Sequence, residues 1–121
     1  MFDWRDYLAL AHTLGGSHGT AASLQLSEAT SRCAVSRAYY AAFCHARNYA
    51  QQHLGYVSRN TPSDHGALRQ HFRLHGMNTV ADSLDLLRAW RNQCDYRDSV
   101  RGFRVILRDA LTEADYVVSV L

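Results

Sequence analysis

The chain of 121 residues has no lysine, one proline and three cysteines, and none of its apolar runs approaches the length needed to span a bilayer. Each shortage excludes something. With Pro62 alone, little interrupts long helices, and the scarcity of β-branched runs argues against a fold of many short strands. Cys33, Cys44 and Cys94 are odd in number, widely spaced and form no CxxC, so they read as reduced thiols in the core. No GxxxxGK(S/T) or GxGxxG loop is present to cradle a phosphate, and the HExxH and GxSxG signatures are missing too. The opening stretch MFDWRDYLALAH carries acids and lacks a basic region and a cleavage site, so a cytoplasmic protein without membrane association is expected.

Hydrophobic residues make up 47% and charged residues 20%, an ordinary globular balance, and the length suits one domain over residues 1–121. The net charge of +2 does not mark a nucleic-acid binder. All 13 basic residues are arginine, which has two readings. A coding bias would place arginine on solvated faces without a task. Alternatively, the planar fork of guanidinium suits phosphate better than the point charge of lysine. Arg88, Arg91, Arg97, Arg101, Arg104 and Arg108 crowd one stretch, interspersed with Asp95, Asp98 and Asp109, and form the candidate phosphate-facing surface.

Periodicity predicts an all-α bundle of about five helices. Trp4, Tyr7, Leu8, Ala11 and Leu14 trace a first helix over residues 3 to about 14, ended by Gly15 and Gly16. Residues 15–27 read as a loop. Ser27 is then the expected N-cap of a long second helix over residues 28 to about 54, stopped by Gly55. That helix is apolar on several sides, so it is either central in its bundle or shared with a partner chain. Thr61 as N-cap, Pro62 at the first position and Asp64 three residues after the cap open a third helix, which ends near His75 and Gly76. Asn78 caps a fourth, with Val80, Leu84, Leu87, Trp90 or Arg91, and Cys94 along one stripe. A fifth turns Phe103, Ile106, Leu107, Ala110, Ala114, Val117, Val118 and Leu121 inward.

His71 and His75 lie four apart, but a zinc site needs three or four fixed ligands, and the rest would have to come from His65, Asp64 or another chain. No metal and no cofactor are expected. The end of the fourth helix is more informative. Arg88, Arg91 and Asp95 share a face at i, i+3 and i+7, and Asp95 is placed to hold the Arg91 guanidinium by a charge-assisted hydrogen bond, with Tyr96 beside it. This is either a phosphate-handling group or an ordinary i,i+4 salt bridge. Arg37, in the middle of a largely apolar helix, should be paired, with Asp95 or with an acid of a partner subunit. Tyr39, Tyr40 and Phe43 read as core and dimer-packing residues.

The run Ser36-Arg37-Ala38-Tyr39-Tyr40-Ala41-Ala42-Phe43 resembles the SRAYYAAF stretch in the second helix of many HEPN proteins. Asp64-His65 resembles the start of that family's third helix, and Arg91 to Tyr96 resembles its R-x-x-x-D-Y ending; the likeness covers roughly residues 25–120. The resemblance implies a homodimer and a toxin–antitoxin-like module in which the domain binds RNA or nucleotide beside a minimal nucleotidyltransferase partner, with or without cleavage. The alternative it implies is a metal-independent endoribonuclease. In that reading Arg91, Asp95 and Tyr96 are the catalytic candidates, and Arg88, Arg91, Arg97 and Arg37 contact phosphate. The family's R-x(4–6)-H histidine is absent here: Tyr96, Arg97 and Asp98 occupy the three positions where it would stand. Tyr96 is also an approximate match to the tyrosine that such partners adenylylate.

Overall fold

The computed structural model describes residues 1–16 and 24–121. Among them five helices and no strands are found: α1 Arg5–Gly16, α2 Leu24–His53, α3 Asp64–Leu74, α4 Asn78–Tyr96 and α5 Phe103–Val120. No described helix is long and apolar enough to cross a membrane.

The 30-residue α2 is about 45 Å long and forms the axis of the bundle, with α1, α3, α4 and α5 all packed against it. Alanine makes this possible. Ala34, Ala38, Ala41, Ala42, Ala46 and Ala50 are fully buried, and their short side chains let neighbouring helices approach on several sides. The buried alanine face of α2 is therefore covered within one chain, as expected of a central helix. The core is completed by Leu8 and Ala11 of α1, Leu68 and Phe72 of α3, Val80, Leu84 and Leu87 of α4, and Leu107, Ala110, Ala114 and Val117 of α5.

Several expected boundaries move. Gly15 does not stop α1; it is a buried helical residue. A Cβ there would stand 3.3 Å from the side chains of Leu107 and Leu111, so its role is close approach of α1 to α5. Ser27 is not an N-cap, because α2 begins at Leu24 and places Ser27 inside the helix. Leucine and glutamine are good helix formers, so the helix runs back through residues taken for loop. The remainder of that expected loop, residues 17–23, lies outside the described residues.

Thr61 does not cap α3 either. Its hydroxyl is 2.7 Å from the Ser63 hydroxyl, and the helix starts at Asp64 after a turn in which Asp64 N–H donates to Thr61 O. Asp64 turns backward instead. Its carboxylate accepts from Ser58 Oγ at 2.7 Å, from Tyr56 Oη at 3.1 Å and from the Arg59 N–H at 3.1 Å. Those bonds hold its carboxyl down at about 2, the Ser58 contact first, while burial and then the Asp64 bond push Tyr56 up to about 12. The connector between α2 and α3 is thereby clamped to the first turn of α3. That helix ends as expected: Met77 N–H reaches Phe72 O and Gly76 N–H reaches Arg73 O, with Gly76 at φ 73° as the left-handed residue this C-cap requires.

His71 and His75 are both engaged by backbone carbonyls. His71 Nε2 lies 2.6 Å from Leu54 O and ties α3 to the end of α2, while His75 Nδ1 lies 2.9 Å from His71 O. Among the described residues no three His, Cys, Asp or Glu side chains converge as a metal site would need.

Candidate functional site

Tyr40, Phe43 and Arg47 sit at i, i+3 and i+7 of α2, so they share one face, and Arg88 and Arg91 do so on α4. The two faces meet at the first turn of α3 and the clamped connector, where His65 and Ser58 close a cleft of about 410 Å³. Three guanidinium groups, Arg47, Arg88 and Arg91, line it against one carboxylate, Asp64, which is already engaged by three donors.

The three arginines are not equivalent. Arg91 is the most constrained, with a side chain only 16% exposed. Its Nε lies 2.8 Å from Asp95 Oδ2, yet the N–H misses the oxygen, so the pair is a charge contact and Nε is buried without a hydrogen-bond acceptor. The expected pairing is present; the expected directed hydrogen bond is not. Nη1 donates to Asn92 Oδ1 and Nη2 donates to the Tyr96 hydroxyl, both at 3.2 Å. The guanidinium also lies over two rings, 5.1 Å from the centre of Tyr40 and 5.3 Å from that of Tyr96. Asp95 is steadied from α2 by Ser36 Oγ at 3.2 Å. Among the described residues Arg47 makes long hydrogen bonds to Asn48 Oδ1, at 3.3 and 3.4 Å, and its guanidinium lies 5.9 Å from the centre of the Trp4 ring. Arg88 has no ion pair or hydrogen bond among the described residues, whereas nearby Arg69 is taken up by Asp85 and by His65 O. An uncompensated guanidinium in a half-enclosed cleft attracts an anion.

His65 supplies a further donor. Its ring stacks on Phe43 with centroids 4.4 Å apart, and its Nδ1 hydrogen-bonds the Tyr39 hydroxyl. Burial pushes the Tyr39 phenol well above its usual range, so it stays protonated, and His65 is its only hydrogen-bond partner among the described residues. The phenol therefore donates and Nδ1 accepts. Burial first, and then Arg88, Arg91 and Arg69, lower the His65 pKa and favour the neutral ring. A neutral imidazole accepting at Nδ1 carries its proton on Nε2. No described residue takes up that N–H, which is left for an oxygen bound in the cleft.

The structure brings Arg88, Arg91, Asp95 and Tyr96 together, as their spacing implies. It separates the others. Arg37 is not paired with Asp95; its guanidinium lies 5.4 Å from the centre of the Tyr7 ring, on the α1 side of the bundle. Arg97 is exposed and belongs to a neighbouring hollow with Asn92, Gln93 and Tyr96. Arg101, Arg104 and Arg108 are exposed at the start of α5, Arg104 over Phe103 and Arg108 beside Asp109, so the arginine-rich stretch is not one surface. Tyr39 and Phe43 are core as expected, but Tyr40 is half-buried and faces the cleft.

Arg47 and His65 in the cleft, and Arg32 beside it, are residues whose placement the spacing arguments missed. Arg32 reaches from α2 to the end of α4 and donates to Cys94 O at 3.2 Å, Arg97 O at 2.5 Å and Asp98 O at 3.2 Å. It satisfies carbonyls that a helix leaves open at its C-terminus and so sets where Tyr96 stands. Glu28, one turn earlier on α2, holds it at 3.1 Å. The fold and the site together define a small α-helical bundle with an arginine-lined, aromatic-walled cleft. Comparison with protein-family models, with curated proteins and with solved structures returned no match.

Proposed function

We propose that this chain is a HEPN-like domain of a toxin–antitoxin-like module, which binds the phosphate of RNA or a nucleotide in the cleft between α2, α3 and α4 without cleaving it. One observation carries the reading: Arg88 lines the cleft with no ion pair or hydrogen bond among the described residues, and Arg47, Arg91 and the His65 imidazole line the same space. All four donors suit phosphate oxygen. A minimal nucleotidyltransferase partner and a homodimer belong to this reading through the family resemblance alone. The residue-level argument for a second copy, an uncovered face of α2, falls away because that face is filled within the chain.

A metal-independent ribonuclease is the second reading, and His65 is the observation that favours it. The imidazole missing after Arg91 in sequence is present beside Arg91 in space. Its tautomer speaks for binding, since a ring with its proton on the open nitrogen donates to the ligand and does not accept the proton of a 2′-hydroxyl.

The deciding experiment uses labelled single-stranded RNA in EDTA, with wild type, Arg88→Ala, Arg91→Ala and His65→Ala. Intact RNA, bound by wild type and released by Arg88→Ala at unchanged melting temperature, is the expected result. Cleavage that disappears in both Arg91→Ala and His65→Ala would establish the nuclease instead. A loss of melting temperature in Arg91→Ala equal to its loss of binding would make that arginine a structural clamp.

A further inference from the structure

We infer that Tyr96 is a stacking platform for a nucleobase, and that the ligand of the cleft is a single-stranded polynucleotide reaching over Tyr96 into the next hollow. This rests on the phosphate-binding reading and names its ligand. Tyr96 is 72% exposed, a large aromatic surface to leave in water at a helix end, yet it is held in place. Arg91 covers one side of the ring and donates to its hydroxyl, and the Arg32 cap fixes the backbone that carries it. A pinned ring has little rotational freedom left to lose when a base stacks on it.

Arg91 also links two spaces. On one side it lies over Tyr40 and lines the cleft. On the other it lies against Tyr96, which lines a second hollow of about 510 Å³ together with Ala89, Asn92, Gln93 and Arg97. That hollow offers the parts a second nucleotide would use: an aromatic face, two side-chain amides and a guanidinium. Alternation of cationic groups with an aromatic platform is how proteins follow a single strand, because every base has a π-face and every linkage a phosphate. A duplex keeps its bases stacked on each other and cannot offer one to Tyr96.

The proposal reassigns Tyr96. A catalytic Tyr96 would act through its hydroxyl; a platform acts through its ring. Fluorescence anisotropy with labelled hexauridylate, a GC-rich RNA hairpin as the duplex, and competition by uridine 5′-phosphate separates the two, using wild type, Tyr96→Phe, Tyr96→Leu and Arg88→Ala. Tyr96→Phe, which keeps the ring but loses the hydroxyl held by Arg91, should lose less than about threefold for hexauridylate, while Tyr96→Leu should lose about fivefold to a hundredfold. The loss should be greater for hexauridylate than for uridine 5′-phosphate, and the duplex should bind more weakly than the single strand. Full binding by Tyr96→Leu with impaired binding by Arg88→Ala would overturn the platform and leave the phosphate cleft standing. Equal losses in Tyr96→Phe and Tyr96→Leu would also overturn it, since the hydroxyl would then be the group that counts. No binding of hexauridylate by wild type would sink both. A single-stranded deoxyuridine hexamer that binds equally well supports the platform and removes the 2′-hydroxyl from recognition.

Discussion

Tyr39 and His65, 26 residues apart in sequence, share a hydrogen bond between the phenolic oxygen and Nδ1, and a buried phenol with no other acceptor among the described residues is best satisfied as its donor. That bond decides which ring nitrogen of His65 carries the proton, and so whether the cleft holds a donor or a base. Nitrogen-15 NMR at neutral pH should show His65 as the Nε2–H tautomer. In Tyr39→Phe the preference should weaken, with a stability loss of about 1 kcal/mol by chemical denaturation. An Nδ1–H tautomer in wild type would refute the assignment and reopen base catalysis.

Arg32→Ala removes a cation that binds three main-chain carbonyls, one in the last turn of α4 and two just past it. The expected cost is about 1–3 kcal/mol in urea unfolding. Hydrogen exchange should rise selectively in residues 96–100, and affinity for RNA should drop although Arg32 lies outside the cleft. Arg32→Lys should recover only part of this, because one ammonium cannot span the three oxygens. Uniform destabilisation without selective exchange at the end of α4 would mean the cap is not local.

Asp64 gives a pH signature. Its carboxyl titrates near 2 in the folded chain and near 3.8 when free, so the unfolded state takes up the proton first. The stabilisation is complete above 3.8 and is lost as pH falls toward about 2. Asp64→Asn should be less stable than wild type at neutral pH, and the gap should close over that window. A gap that persists undiminished at the acid end would mean that the carboxylate charge is not what holds the connector.

Arg88 separates binding from folding. Having no protein partner among the described residues, Arg88→Ala should leave melting within about 0.5 kcal/mol of wild type. RNA affinity should fall about tenfold, with the salt dependence of binding reduced by about one ion. An unchanged salt slope would place the phosphate elsewhere.

Much of the helical architecture was legible in the chain because its causes are local. Gly76 ends α3 through its own left-handed backbone, and the stripes of α4 and α5 follow the helical period. Two departures come from groups outside the helix concerned. Asp64 fitted a capping box by spacing but was captured by Tyr56 and Ser58, and Gly15 read as a stop but is a contact point for Leu107.

The sequence by itself determined that the fold is a bundle of five helices and, at the end of α4, the neighbour relations: Arg88 beside Arg91, Arg91 beside Asp95, and Tyr96 at the end of that helix. Those relations follow from a repeat of 3.6 residues per turn, which needs no knowledge of the rest of the chain. Tertiary structure alone decided that His65 and Arg47 join Arg91 in one cleft, that Arg37 turns away to Tyr7, and that Arg32 closes the end of α4. These pairings depend on which faces of α2, α3 and α4 meet. That choice is made by the packing of alanine and leucine surfaces buried between the helices, which carries the charged residues into place without any local pattern of their own.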